Sequence, residues 1–175
     1  MASIQPSVHE LEFLKLTANH LEFGRKLNTL NFSNPSLIHH AEYIGAAWFH
    51  LADEHLKEAK SMLRLKIKPH RAVFSRSYYA AYNASKSIRY LTAGSVSLKG
   101  DDHGKATDLP GDFPDKEQWA TTLATLYENR LRADYDNWTT TGSDFSQSSR
   151  DAVKSAAAFL VEARMYINSK IGSSI

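Results

Sequence analysis

The sequence has no cysteine. That excludes disulfides, thiolate zinc sites, iron–sulfur clusters and a cysteine nucleophile, and it suits a reducing cytosol. No uninterrupted apolar run approaches the ~20 residues that cross a bilayer. The opening Met1-Ala2-Ser3-Ile4-Gln5-Pro6 lacks a basic stretch followed by an apolar one, so no signal peptide is expected. A soluble cytoplasmic protein is the expectation. The standard phosphate-cradling loops, G-x-x-x-x-G-K-[ST] and G-x-G-x-x-G, are absent, and no serine sits in G-x-S-x-G. Metal-ligand spacing is missing too. His50 and His55 are five apart rather than four, and no glutamate is followed by histidine three residues later. No metal and no cofactor are therefore expected. Nor does charge of one sign dominate, because 21 basic residues nearly cancel 19 acidic ones.

What is there is helical periodicity. A chain of 175 residues suits one domain with a sizeable core. The stretch Val8 to Leu30 has helical spacing interrupted by Gly24, so residues 1–35 are expected to form a helical extension. Asn34-Pro35 then reads as a start signal. From Ser36 to Leu65, Ala41, Ile44, Trp48, Leu51, His55, Ala59 and Met62 make a stripe at three- and four-residue steps, and Lys68-Pro69 ends it. A second helix is predicted over His70 to Thr92, a third over Asp115 to Asp136 and a last over Gln147 to Lys170. Residues 93 to 114 read as a long polar connection with a short helical turn near His103. The pattern predicts an all-α, antiparallel bundle of four to five helices over residues 36–172.

Two features carry charge in a pattern. Lys57, Lys60, Arg64, Lys66, Lys68, Arg71 and Arg76 fall in twenty residues whose only acid is Glu58. This run suits a nucleic-acid backbone or a solvated inter-helix turn. The second is Tyr127-Glu128-Asn129-Arg130-Leu131-Arg132-Ala133-Asp134-Tyr135. Arg130 and Asp134 share a helix face at i and i+4, as do Glu128–Arg132 and Arg132–Asp136, each pair worth about 0.3–0.5 kcal/mol on a surface. Arg130, however, continues the stripe of Trp119, Leu123 and Leu126, which should face other helices. A partly buried guanidinium there can hold a phosphate as readily as an aspartate.

Several segments together resemble the HEPN superfamily. They are Ala52-Asp53-Glu54-His55-Leu56-Lys57-Glu58-Ala59-Lys60, Ser75-Arg76-Ser77-Tyr78-Tyr79-Ala80-Ala81-Tyr82-Asn83-Ala84-Ser85-Lys86, His103-Gly104-Lys105 and Leu126 to Tyr135. The likeness spans about Ile44 to Ile167 and is nearest to the prokaryotic branch with S-Y-Y-A-A and R-x-x-A-D-Y motifs. It implies an antiparallel bundle that dimerises. It also implies an RNA- or nucleotide-phosphate-binding module: many members are metal-independent ribonucleases of toxin–antitoxin or defence systems, and others are inactive partners of nucleotidyltransferases. Arg130 matches the family arginine that binds the scissile phosphate. The family histidine falls at Tyr135, a departure, because tyrosine has an unperturbed pKa of about 10 and is a poor base at pH 7. By this resemblance Arg130, Asp134 and Tyr135 are the catalytic candidates, and Arg130, Arg76, Tyr79, His103 and Lys105 the RNA- or phosphate-binding ones. RNA, a second copy of the chain and a nucleotidyltransferase or antitoxin are the expected partners. The rival function is a non-catalytic dimeric interaction protein whose Arg130–Asp134 pair is structural.

Overall fold

The computed structural model describes residues 37–93, 96, 100–137 and 145–171. The expected extension over residues 1–35 lies outside them. Among the described residues four helices make up the fold: α1 (Leu37–Met62), α2 (His70–Ala93), α3 (Lys116–Tyr135) and α4 (Ser149–Tyr166). A 3-10 turn, Gly100–Lys105, interrupts the α2–α3 connection, and a π turn, Ile167–Ile171, finishes α4. No strand occurs among the described residues, and none of their helices is long and apolar enough to cross a membrane. Successive helices alternate in direction. Ser87 near the end of α2 donates to the Gly45 carbonyl near the start of α1 (2.8 Å), and Arg71 at the start of α2 reaches the end of α3.

Helix α2 is the hub and packs against each of the other three. Residues 80–90 are buried without interruption, which is the signature of a helix hydrophobic all round. Yet this stretch holds Asn83, Ser85, Lys86, Ser87 and Arg89. Burying such groups costs free energy unless each finds a partner. Each does: Ser85 donates to Ala106 O (2.6 Å), Asn83 to Tyr79 O (2.8 Å), and Lys86 and Arg89 meet Asp102. On α1, Gly45 lets α2 come close. A Cβ built on Gly45 would lie 2.6 Å from Leu91 Cγ. Gly45→Val is therefore expected to overpack this contact and lose about 1–3 kcal/mol of stability. A urea melt showing no shift in midpoint would contradict it.

Two expectations change. The buried face of α1 is Ile44, Phe49, Ala52, Leu56 and Ala59, while Leu51 is 42% exposed and Trp48, His55 and Met62 are only half-buried. Two overlapping three- and four-step stripes run along this helix. The stripe rich in alanine wins because it permits close approach to α2. The polar α2–α3 connection carries the expected short turn at His103, Gly100–Lys105, but it also contributes to the core. Val96, Asp102, Ala106, Leu109 and Phe113 are buried, and Phe113 packs on Phe159 and Tyr166. On α4 the expected line Val153, Ala156, Phe159, Leu160, Ala163 and Ile167 is buried throughout. Ser148 caps its start by accepting from Asp151 N (3.1 Å).

Candidate functional site

Helix α3 faces α2 with Leu123, Leu126, Asn129, Arg130 and Ala133. Arg130 is thus carried into the interface by the same spacing that buries the leucines, and only 9% of it remains exposed. Its Nη2 donates to the Tyr79 hydroxyl of α2 (2.9 Å) and lies 3.5 Å from the Tyr135 hydroxyl. Its Nε is 2.8 Å from Asp134 Oδ2, but the N–H is not aligned as a hydrogen bond, so the link is ionic. Asp134 is held in turn by the Ser75 hydroxyl, which donates to its other oxygen. The guanidinium sits against two rings, 5.5 Å from the Tyr79 centroid and 5.1 Å from that of Tyr135. Burial alone would favour losing the proton; the Tyr79 hydroxyl and Asp134 outweigh it and hold the group charged above its ordinary value. Nη1 makes no hydrogen bond among the described residues. A guanidinium has five N–H donors, so an oxyanion has donors left to meet.

The α2–α3 connection supplies the neighbouring group. Asp102 is fully buried and accepts a two-pronged bond from Arg89, Nη1 to Oδ1 at 3.0 Å and Nη2 to Oδ2 at 2.8 Å. The Tyr82 hydroxyl donates to it at 2.9 Å and Lys86 Nζ lies 3.8 Å away. Burial pushes the Asp102 carboxyl up, but the Arg89 bonds and charge win and hold it below the ordinary carboxylate range. Burial pulls Lys86 down, with Asp102 opposing. The next residue, His103, then lies among the rings of Tyr78, Tyr79, Tyr82 and Tyr127, at centroid distances of 5.7, 5.9, 4.5 and 6.4 Å. Its Nδ1 is 2.9 Å from the Tyr78 hydroxyl. Burial, then the Arg130 charge, lowers His103 below 6.5, so it is largely neutral at pH 7. Burial pushes the Tyr78 hydroxyl well above its ordinary value.

Of the residues singled out by sequence, Arg130, Asp134, Tyr135, Tyr79 and His103 come together. Tyr135 is the outermost, 72% exposed. Arg76 sits one turn from Tyr79 but is engaged by α1: its Nε meets Glu58 at 2.9 Å and its Nη1 donates to His55 Nδ1 at 3.1 Å. That bond makes Nδ1 an acceptor, in keeping with a His55 lowered by burial and then by Arg76. The His55 ring lies 5.6 Å from Tyr79. Lys105 is exposed and no contact joins it to the cluster.

Sequence reasoning missed the Asp102 clamp. The available signal was two cations, Lys86 and Arg89, embedded in a small-residue helix. It also missed Arg71, which donates to Ala133 O (2.6 Å) and to Asp136 O and so satisfies the last carbonyls of α3. Two members of the basic run are therefore structural, while Lys57, Lys60, Arg64, Lys66 and Lys68 remain exposed. Among the described residues no group of three or more His, Asp or Glu side chains is arranged to hold a metal ion. No family model, curated protein or solved structure matches this chain.

Proposed function

We propose that this protein is a HEPN-like module that grips the phosphate backbone of RNA at Arg130. The observation that carries the reading is a nearly buried arginine, fixed on one edge by Tyr79 and Asp134 with Nη1 unengaged by any described residue. A guanidinium held this way loses little conformational freedom when it binds, and its planar fork suits a phosphate. Asp134 orients Arg130, and Tyr135 donates its hydroxyl to the bound phosphate. Two copies of the chain form the working dimer. Cleavage belongs to this reading as a metal-independent ribonuclease of a toxin–antitoxin or defence system. The exposed lysines of α1 and the α1–α2 turn add a sequence-independent attraction for the strand.

Titration of single-stranded RNA at two salt concentrations tests it. Binding that weakens as salt rises is expected; no binding even at low salt would overturn the reading. Tyr135→His is the companion variant. Restoring a group that titrates near neutrality is expected to yield ribonuclease activity that survives chelation. A folded Tyr135→His protein that binds RNA without cutting it would argue against a cleavage pocket.

A second reading has an observation of its own. Leu51, Val161 and Met165 are exposed on α1 and α4, at 42%, 61% and 58%, and Val161 and Met165 line a groove with Leu56 and Leu160. Asp53, Lys60 and Arg164 line the same groove, and apolar side chains among charged ones suit a protein partner. On that reading the chain is a non-catalytic interaction protein, and Arg130 only ties α3 to α2.

A further inference from the structure

Asp102 and His103 are neighbours in sequence with opposite fates: one is sealed in the core, the other stands in the tyrosine cluster whose Tyr79 also bonds Arg130. The clamp of Arg89 and Tyr82 fixes Asp102 against α2, and His103, the next residue, lies within the tyrosine cluster. Nδ1 is committed to Tyr78, accepting from the hydroxyl when His103 is neutral and donating to it when protonated. Nε2 makes no hydrogen bond among the described residues and is not sealed off as a buried, unsatisfied atom. Tyr79 lies beside both groups, bonding Arg130 through its hydroxyl and packing its ring edge-on against His103. We propose that His103 is the second phosphate-binding group of the Arg130 site, donating from Nε2 to a phosphodiester oxygen, and that Asp102 is the residue that positions it. This rests on the reading of Arg130 as a phosphate site.

The arrangement has a signature that a merely structural histidine lacks. The charged and titratable groups around His103 are Tyr78, Tyr79, Tyr82 and Lys86 from α2, Tyr127 and Arg130 from α3, and Asp102 beside it. With the site empty, burial and then Arg130 and Lys86 keep its proton affinity low, and Asp102 opposes them. A bound phosphodiester offsets the Arg130 charge and accepts from Nε2–H, so binding raises that affinity. The linkage sign follows. The complex takes up a proton, so affinity is flat well above the bound-state value. It tightens as pH falls through that value and levels off below the lower free-state value. A one-unit rise on binding corresponds to about a tenfold gain in affinity across the window.

The experiment uses the full chain and a 2′-deoxydinucleoside monophosphate. That probe cannot be cleaved through a 2′-hydroxyl, and its single charge is constant from pH 5 to 8.5. Binding is measured by calorimetry, with the His103 resonance assigned by loss in His103→Gln. About tenfold tighter binding at acid pH, with the His103 titration midpoint moving to higher pH on binding, is expected. His103→Gln should remove the pH dependence while leaving Arg130-dependent binding at high pH. Asp102→Asn should weaken acid-pH binding if it stays folded by circular dichroism; His103→Gln carries the test if it does not. If the wild type binds no dinucleotide at any pH, the Arg130 phosphate site itself is wrong. If binding depends on Arg130 but is independent of pH and of His103, only the His103 inference falls.

Discussion

Arg89→Ala is expected to lose about 3–5 kcal/mol of stability near neutral pH, because removing one partner leaves a buried charge uncompensated. Asp102 has no exposed surface, and Arg89 supplies both its shortest ionic contacts. The Tyr82 hydroxyl remains, and so does Lys86, but Lys86 Nζ is 3.8 Å away and Asp102 is left without its two-pronged bond. The pH dependence gives an independent check. In the wild type the Asp102 carboxyl is held below its unfolded value of 3.8. It therefore contributes stability above that pH, and the contribution is lost as pH falls through the folded value. Without Arg89, burial opposes the charged form and only Tyr82 and Lys86 still favour it, so the carboxyl rises from its wild-type position. Protonation then relieves the variant's buried charge earlier as pH falls. The gap between the two proteins should be widest near pH 7 and narrow as pH falls toward 4. Urea melts at several pH values read this directly. A gap below about 1 kcal/mol at pH 7 would mean that water reaches the pair.

Arg130→Ala is expected to weaken RNA binding about 10- to 100-fold, the range for losing charge-assisted hydrogen bonds of about 1.5–3 kcal/mol. Its effect on folding should be smaller, about 1–2 kcal/mol. The Tyr79 hydroxyl bond and the packing on two rings are lost, but Asp134 keeps the Ser75 hydroxyl and about a third of its side chain is in water. Arg130→Lys separates charge from shape: it keeps the cation and loses the planar fork, so its binding should fall between the wild type and alanine. Binding and thermal melts are measured on the same samples. Unchanged RNA binding with lowered stability would leave Arg130 as a tie between α3 and α2, and the exposed groove of α1 and α4 as the better place to look for a partner.

The sequence by itself determined the helices, because periodic spacing and break signals are local. The turn at Lys68-Pro69, the buried line of α4 and the continuation of the Leu123–Leu126 stripe through Arg130 are all readable as patterns of three and four. It also put Arg130 and Asp134 on one face, since one helical turn fixes that pair. What only the tertiary structure decided is how the helices are rotated and which distant groups meet. On α1 two stripes compete in sequence, and contact with α2 chose the one that leaves Leu51 outside. Arg71 belongs to a basic run until the end of α3 arrives to receive it. Tyr79 and Arg130 are 51 residues apart, Arg89 and Asp102 thirteen. A buried cation must find a partner, but the sequence does not say where along the chain that partner lies. The connection carrying His103 reads as polar from its glycines, prolines and charged residues, yet its anchor, Asp102, is buried. The core accepts that aspartate only because α2 presents Arg89, Lys86 and Tyr82 to it.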